Sequence, residues 1–171
     1  MSEYIAGPRG TSSPFEPTVV ALTAATTKTV LQVATPSTTD IRILGWGVSF
    51  DASAAAQPGW AQLISHSSNT PATVTSLTPD LWGNAQSPAS LCVGGTTATG
   101  YNSTSENTIT GTPVLHDHQH VYPQSGYAVW FPQTAAGNSP RIGISSFLRI
   151  RCKFPAGVNV LPWIVWAEPA V

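Results

Sequence analysis

The chain has 171 residues, of which 42% are hydrophobic and only 9% are charged, and its formal net charge is -1. This length fits one domain with a substantial core, and the apolar content is too high for a chain kept disordered by charge. The pI of about 6.4 argues against a nucleic-acid partner, since such domains are usually strongly basic. Charge keeps free monomers apart in solution, so a surface this poor in charge indicates a protein that is covered by neighbouring molecules.

The chain shows no targeting or membrane-spanning segment. No apolar run approaches the roughly 18 residues that a transmembrane helix requires. Residues 1–9 lack a basic stretch followed by an apolar stretch, so no signal peptide is predicted. We therefore expect synthesis in a cytoplasm, no membrane partner, and reduced thiols at Cys92 and Cys152, with a disulfide between them as the alternative.

The pattern along the chain predicts an N-terminal arm followed by one β-domain. Residues 1–17 carry three prolines and two glycines without periodicity, which predicts an extended arm outside the core. In residues 18–171, short β-branched segments alternate with turn clusters, and no helical period is found. The predicted strands are 18–22, 27–33, 40–51, 61–66, 73–77, 113–121, 127–131, 141–154 and 160–167. This pattern predicts an all-β sandwich of two antiparallel sheets with about eight strands.

Two segments depart from the simple alternation of strand and turn. Along residues 40–51 the apolar side chains change parity between Ile43 and Leu44, next to two glycines. This change predicts a β-bulge, or a strand that passes from one sheet to the other. Residues 94–112 are polar throughout and are predicted to form a long loop, a kind of segment that is usually functional or disordered.

The most regular alternation lies near the C-terminus. In residues 141–154 one parity carries Ile142, Ile144, Leu148, Ile150, Cys152 and Phe154, while the other carries Arg141, Arg149, Arg151 and Lys153. A period of two predicts one buried and one exposed strand face, so four of the seven basic residues should form an exposed basic stripe. The stripe is interpreted either as a solvated face or as a docking surface for an acidic protein shell. It is too small to indicate nucleic-acid binding.

Three stretches carry a resemblance to a known family. They are Ile43-Leu-Gly-Trp-Gly-Val-Ser-Phe-Asp51, Ser139-Pro-Arg-Ile-Gly-Ile-Ser145 and Ala156-Gly-Val-Asn-Val-Leu-Pro-Trp-Ile-Val-Trp-Ala-Glu168. Together they resemble small jelly-roll proteins encoded beside the capsid genes of tailed bacteriophages, especially actinobacterial ones, which are read as head decoration proteins. The resemblance implies an antiparallel jelly-roll β-sandwich that sits as a homotrimer on the capsid exterior and binds the major capsid protein. It implies no catalytic residues and no cofactor.

On this hypothesis the attachment surface combines the basic stripe with the N-terminal arm. The stripe would supply electrostatic complementarity to the capsid. The arm would reach a neighbouring subunit and add backbone hydrogen bonds at a sheet edge. The candidate capsid-binding residues are Arg141, Arg149, Arg151, Lys153, Tyr4, Ile5 and Phe15.

The sharpest local pattern is His116-Asp-His-Gln-His120. On a strand, residues two apart share a face at about 6.5–7 Å, and two imidazoles at this spacing can bind one Zn²⁺ ion. His116, His118 and His120 are therefore candidate metal ligands, although a complete site would need a further ligand from elsewhere. The alternative is that the three histidines line a solvent-facing strand face or a trimer axis.

The alternative function is a carbohydrate- or receptor-binding β-sandwich on a virion. Exposed aromatic side chains in loops can contact sugars, and Trp82 and Tyr101 are the candidate glycan-binding residues. An enzyme is not expected, because the chain lacks a Gly-x-Ser-x-Gly elbow, a phosphate-binding loop and a complete Cys/His metal motif. Its eight carboxylates include no locally paired set that would favour acid–base chemistry.

Overall fold

The structure is a computed structural model that describes residues 2–9, 16–51, 57–67, 70–82, 88–132 and 139–169. These ranges form two antiparallel sheets packed as a sandwich, which confirms the predicted all-β fold. The seven-stranded sheet contains β1 (Ser2–Ala6), β2 (Val20–Leu22), β4 (Ile41–Asp51), β7 (Asp80–Leu81), β10 (Tyr127–Trp130), β11 (Arg141–Ile142) and β13 (Val158–Glu168). The six-stranded sheet contains β3 (Lys28–Ala34), β5 (Gly59–His66), β6 (Thr73–Ser76), β8 (Gly100–Ser105), β9 (Val114–Val121) and β12 (Phe147–Lys153). Within the described ranges, no helix is long and apolar enough to span a bilayer.

The connections carry the chain back and forth between the two sheets. The seven-stranded sheet has the order β10-β4-β13-β1-β7, with β2 paired to β13 and β11 paired to β4. The six-stranded sheet has the order β6-β8-β3-β12-β5-β9. The four-strand orders β2-β13-β4-β10 and β3-β12-β5-β9 within these sheets are consistent with a jelly roll.

The chain between β5 and β9 is an addition to this frame. Strands β6 and β8 extend the six-stranded sheet beside β3, while β7 pairs with β1 in the other sheet. The predicted loop at residues 94–112 is therefore wrong in part, because β8 runs through it and buries Tyr101. Apart from Tyr101 this strand consists of glycine and small polar residues, so its sequence lacks the apolar alternation that indicates a strand.

The core lies between the two sheets. Its largest fully buried apolar side chains are Trp46, Trp166, Tyr4, Phe154, Leu31, Ile41, Ile43, Leu63, Ile142, Leu148 and Ile150. Cys92 and Cys152 are both buried, and neither forms a disulfide bond. Burial raises the thiol pKa of each cysteine far above its ordinary value, so neither is a reactive nucleophile.

The predicted β-bulge in β4 is confirmed. Val165 and Trp166 are adjacent on β13, but they pair with residues of β4 that are two apart, so Leu44 is the extra residue. Because of this insertion, Ile43 and Trp46 both face the core, whereas Leu44 packs with Val165 in a separate cluster. The change of parity in the sequence thus marks a bulge within one sheet and not a passage between sheets.

The predicted N-terminal arm is wrong for residues 2–6. These residues form β1, which lies between β13 and β7 in the seven-stranded sheet. Tyr4 and Ala6 are each only 2% exposed and belong to the core. A strand of five residues with two inward side chains is too short to show the two-residue alternation in the sequence. Its partners come from distant parts of the chain. Phe15 lies outside the described residues.

The predicted strand at residues 141–154 is in fact two strands. β11 pairs with β4 in the seven-stranded sheet, and β12 pairs with β3 and β5 in the other. The turn between them includes Ser145, which has a positive φ of 50°, and Ile144, which was expected to face inward and is 53% exposed. The turn contains four residues, so the alternation of parity continues across it and hides the change of sheet.

Replacing Tyr4 tests whether β1 belongs to the folded core. We expect Tyr4→Ala to lower the free energy of unfolding by about 3–5 kcal/mol, because a large buried aromatic side chain leaves a cavity. The neighbouring and exposed Glu3 provides the control, and Glu3→Ala should change stability by about 0.5 kcal/mol or less. Urea denaturation measures both values. Equal stability of the two variants would mean that the N-terminus is a free arm after all.

Candidate functional site

The outer face of the six-stranded sheet is built in rows, because β12, β5 and β9 pair in register. Along β12 the outward side chains are Phe147, Arg149, Arg151 and Lys153, and their partners on β5 are His66, Ile64, Gln62 and Trp60. Strand β9 continues two of these rows, with His118 beside Gln62 and His120 beside Trp60. The face therefore changes along its length from a Phe147–His66 end to a Lys153–Trp60–His120 end.

Arg149 is fully buried on this outer face. Its Nη1 donates a hydrogen bond to the backbone oxygen of Glu106 at 3.0 Å, and its Nη2 donates to the backbone oxygen of Thr70 at 2.7 Å. Burial lowers the pKa of Arg149 to about 10, while Glu106 acts in the opposite direction and Arg151 adds to the lowering. The guanidinium is thus still charged at neutral pH, and it holds the chain before β6 and after β8 against the sheet.

The Glu106 carboxylate completes this attachment. It accepts hydrogen bonds from the Thr29 backbone N–H, from Thr29 Oγ1 at 2.9 Å and from Ser103 Oγ at 2.7 Å. One of its oxygens also lies 3.6 Å from Nε of Arg151. The next residue, Asn107, has a positive φ of 42°, a conformation that asparagine tolerates, and its Nδ2 donates to the Pro71 backbone oxygen at 2.6 Å.

Sequence reasoning missed Glu106. The available signal is that Glu106 is the only Asp, Glu, Lys or Arg between Asp80 and Asp117. A single carboxylate in a long uncharged segment indicates a specific partner, but the sequence does not indicate which one.

The predicted exposed basic stripe is wrong. Arg149 is buried, Arg151 is half-buried beside Glu106, and Arg141 lies in the other sheet, where it pairs with Asp40. Within the described part of the chain, Arg149 bonds to backbone oxygens and makes no ion pair, and Lys153 also makes none. For β12 the parity argument assigned the cations to the correct face, but it could not show that a distant segment covers most of that face.

Arg149 is therefore predicted to matter for stability. We expect Arg149→Ser to lower the free energy of unfolding by about 3–5 kcal/mol, since its buried acceptors and the nearby carboxylate would lose their partner. Lys153→Ser, on the same strand, should change stability by no more than about 0.5 kcal/mol. Chemical denaturation of both variants measures the difference, and a fully stable Arg149→Ser variant would contradict the buried site.

His66 lies at the other end of the same face. Its ring is 3% exposed and stacks on Phe147 with ring centroids 5.6 Å apart. Neither ring nitrogen finds a hydrogen-bond partner among the described residues. Burial, reinforced by the charges of Arg149 and Arg151, lowers the pKa of His66 to about 4. The folded protein therefore holds this imidazole neutral at pH values where an exposed histidine would be charged.

His66 predicts an acid-dependent loss of stability. The unfolded imidazole binds a proton near pH 6.5 and the folded one near pH 4, so between these values the unfolded state binds more protons. The free energy of unfolding should fall by up to about 3 kcal/mol as the pH decreases from 6.5 to 4. His66→Phe should lack this component, and parallel stability–pH curves for the two proteins would contradict it.

The histidine triplet does not share one strand face. Leu63 pairs with Asp117 and Ile64 pairs with Leu115, so His116 is the extra residue of a bulge in β9. Its Nε2 lies 2.8 Å from the hydroxyl of the buried Ser65, and burial lowers its pKa.

His118 and His120 remain together on the outer face, with ring centroids 6.3 Å apart. Asp117 is occupied elsewhere, since it accepts hydrogen bonds from Trp46 Nε1 at 3.2 Å and from the Tyr127 hydroxyl at 2.7 Å. Among the described residues, no group of three His, Cys, Asp or Glu is arranged to hold a metal ion. The structure thus provides a pair of neighbouring imidazoles in place of the predicted set of three.

The outer face of the seven-stranded sheet carries an exposed aromatic cluster. Trp82 is 43% exposed, Trp130 is 54% exposed, and Trp163 is half-buried. The ring centroids of Trp82 and Trp130 are 6.2 Å apart, and those of Trp130 and Trp163 are 5.2 Å apart. We call these three residues the indole surface.

Two glycines of β4 provide the space for the indole surface. A Cβ atom on Gly45 would lie 2.7 Å from the ring of Trp130, and one on Gly47 would lie 2.6 Å from the ring of Trp163. The rings therefore rest directly on the strand backbone. Val165, which also faces away from the other sheet, is completely buried here. The sequence indicated these glycines as markers of a bulge, but it did not indicate that they make room for tryptophans on neighbouring strands.

A shallow groove adjoins the indole surface. It has a volume of about 260 Å³ and is lined by Ile5, Pro8, Pro17, Leu161, Pro162 and Trp163. An ion pair between Arg9 and Asp80 contributes to the same lining. The outer face of this sheet thus combines exposed aromatic rings with an apolar depression.

The remaining predicted site residues are divided between the core and this face. Tyr4 lies in the core, and Ile5 packs beside Trp163 on the outer face. Tyr101 is buried between the sheets, so the proposed pairing of Trp82 with Tyr101 in a glycan site is wrong. The aromatic neighbour of Trp82 is Trp130.

No protein-family model, no curated protein and no solved structure matches this chain.

Proposed function

We propose that the protein is a structural virion protein that decorates the exterior of a tailed-phage capsid as a homotrimer and is made in the host cytoplasm. The observation that carries this proposal is the indole surface, which supplies exposed apolar contact area on a chain with very few charges. The resemblance of the β4 segment and of residues 139–145 and 156–168 to decoration proteins supports the choice of partner, the major capsid protein.

Exposed tryptophans are well suited to a contact with another protein. Tryptophans dominate the binding energy of protein interfaces when they enter desolvated pockets on a partner. Trp82 and Trp130 leave about half of each side chain in solvent, where it is available for this purpose. Three indoles are too few for a complete interface of about 800 Å² per partner, so we place them at its centre. The adjoining groove and the contacts within the trimer provide the remainder.

The proposed attachment surface differs from the one expected from sequence. Arg149 and Arg151 are committed to the segment that contains Glu106, and residues 2–6 are committed to the sheet. The stripe therefore does not act as one exposed surface, and residues 2–6 cannot reach a neighbouring subunit as a free arm. Of the original candidates, Ile5 lies at the groove beside the indole surface.

A sedimentation experiment tests this proposal. Capsid shells assembled from the major capsid protein of the same genome are mixed with the purified protein and pelleted. Wild-type protein should bind saturably, with three copies at each binding position. Trp82→Ser and Trp130→Ser should each weaken binding by about tenfold or more, in line with interface tryptophans.

Tyr122→Ser is the matched control, since Tyr122 is 53% exposed and is not part of the indole surface. Thermal unfolding verifies that every variant is folded. Undiminished binding by both tryptophan variants would remove the indole surface from the interface. Failure of the wild-type protein to pellet, together with tryptophan-dependent glycan-array signals, would favour the carbohydrate-binding alternative.

A further inference from the structure

A second cavity lies on the other sheet, beyond the part of its outer face that is attached to Glu106. Its volume is about 390 Å³, and its lining includes Pro58, Trp60, His120, Lys153, Phe154 and Pro155. This volume lies within the range of small-ligand sites and fits a ligand of one or two sugar rings. The two prolines limit the backbone freedom of the rim, so the cavity is largely formed before a ligand arrives.

Strand pairing places three functional side chains side by side in this cavity. Trp60 is paired with Lys153 on one side and with His120 on the other. Neighbouring strands are about 4.8 Å apart, so an ammonium group and an imidazole flank one indole. His118 extends the group, because its ring centroid is 5.7 Å from that of Trp60 and 6.3 Å from that of His120.

Among the residues that the structure describes, no acidic group balances the charge in this cavity. No carboxylate belongs to its lining, and Lys153 makes no ion pair within the described ranges. This contrasts with Arg151 on the same strand, which has Glu106 beside it. A ligand that carries an anion would therefore supply an ion-pair partner for Lys153.

We propose that this cavity binds an acidic sugar, a saccharide unit that bears a carboxylate. The apolar C–H face of the sugar ring would pack on Trp60, and the carboxylate would accept hydrogen bonds from the Lys153 ammonium. The imidazoles of His118 and His120 would bond to ring hydroxyls, since each neutral ring has one donor and one acceptor. This site lies on the opposite sheet from the indole surface and does not depend on the proposed capsid contact.

A matched pair of disaccharides tests this assignment. The acidic probe is cellobiouronic acid, and the neutral probe is cellobiose, which has a hydroxymethyl group in place of the carboxylate. Binding to the full chain is measured by calorimetry and by the shift of the Trp60 indole N–H signal in NMR. We expect saturable binding of the acid below about 10 mM and at least tenfold weaker binding of cellobiose.

Three variants provide the controls. Lys153→Gln, which removes the charge but keeps a polar side chain, should weaken binding of the acid about tenfold and remove its preference over cellobiose. Trp60→Ala should abolish binding of both sugars. If this variant does not fold, Trp60→Phe replaces it and should retain part of the binding. Trp82→Ser should bind the acid as the wild type does, which separates this site from the indole surface.

Several outcomes would overturn the proposal. These are the absence of saturable binding of the acid at about 10 mM, equal binding of the two disaccharides, and unchanged affinity in Lys153→Gln. Tighter binding of adenosine monophosphate than of the acidic sugar would assign the cavity to a different ligand class. Loss of capsid binding in Trp82→Ser would leave all of these results unaffected.

Discussion

The carboxylate of Glu106 holds a long inserted segment against the outer face of the six-stranded sheet. The carboxylate accepts hydrogen bonds from Thr29 and Ser103 and lies beside Arg151. The backbone oxygen of Glu106 accepts a hydrogen bond from the guanidinium of Arg149. Charge-assisted hydrogen bonds of this kind are strong when they are buried, and they leave a large penalty when one partner is removed. This cluster converts what would be an exposed basic face into a covered one. It also buries Arg149 and pairs Arg151 with Glu106, whereas Lys153 lies outside the cluster.

The two outer faces of the sandwich consequently have different chemistry. On the seven-stranded sheet, Gly45 and Gly47 let the indoles of Trp130 and Trp163 lie on the backbone of β4. Their exposed area fits a broad apolar contact such as a protein shell. On the six-stranded sheet, the cover stops before Lys153 and Trp60, which lie side by side in a cavity. Lys153 makes no ion pair with any residue that the structure describes. A cavity of this kind fits a small charged ligand better than a broad protein surface.

Much of the fold was predictable because strand formation is a local property. The alternation of apolar and polar side chains predicted most of the long strands, and the change of parity at Leu44 predicted the bulge in β4. Strands β1 and β8 escaped prediction, because each is short and is stabilised by partners far away in sequence. For the site, the sequence named Trp82 and Tyr101 together as candidates for the alternative, glycan-binding function; Trp82 is exposed, whereas Tyr101 is buried.

The sequence by itself determined the all-β class, the low charge and the side-chain parity within each strand. These follow from composition and from the two-residue period of an extended chain. Only the tertiary structure decided which strand faces are covered by other parts of the chain. Burial of Arg149 requires Glu106, which is 43 residues away, and the bulge at His116 separates the histidines that their spacing had brought together. Such pairings depend on the sheet order and on the path of the inserted segment, and neither is encoded in a local pattern of residues.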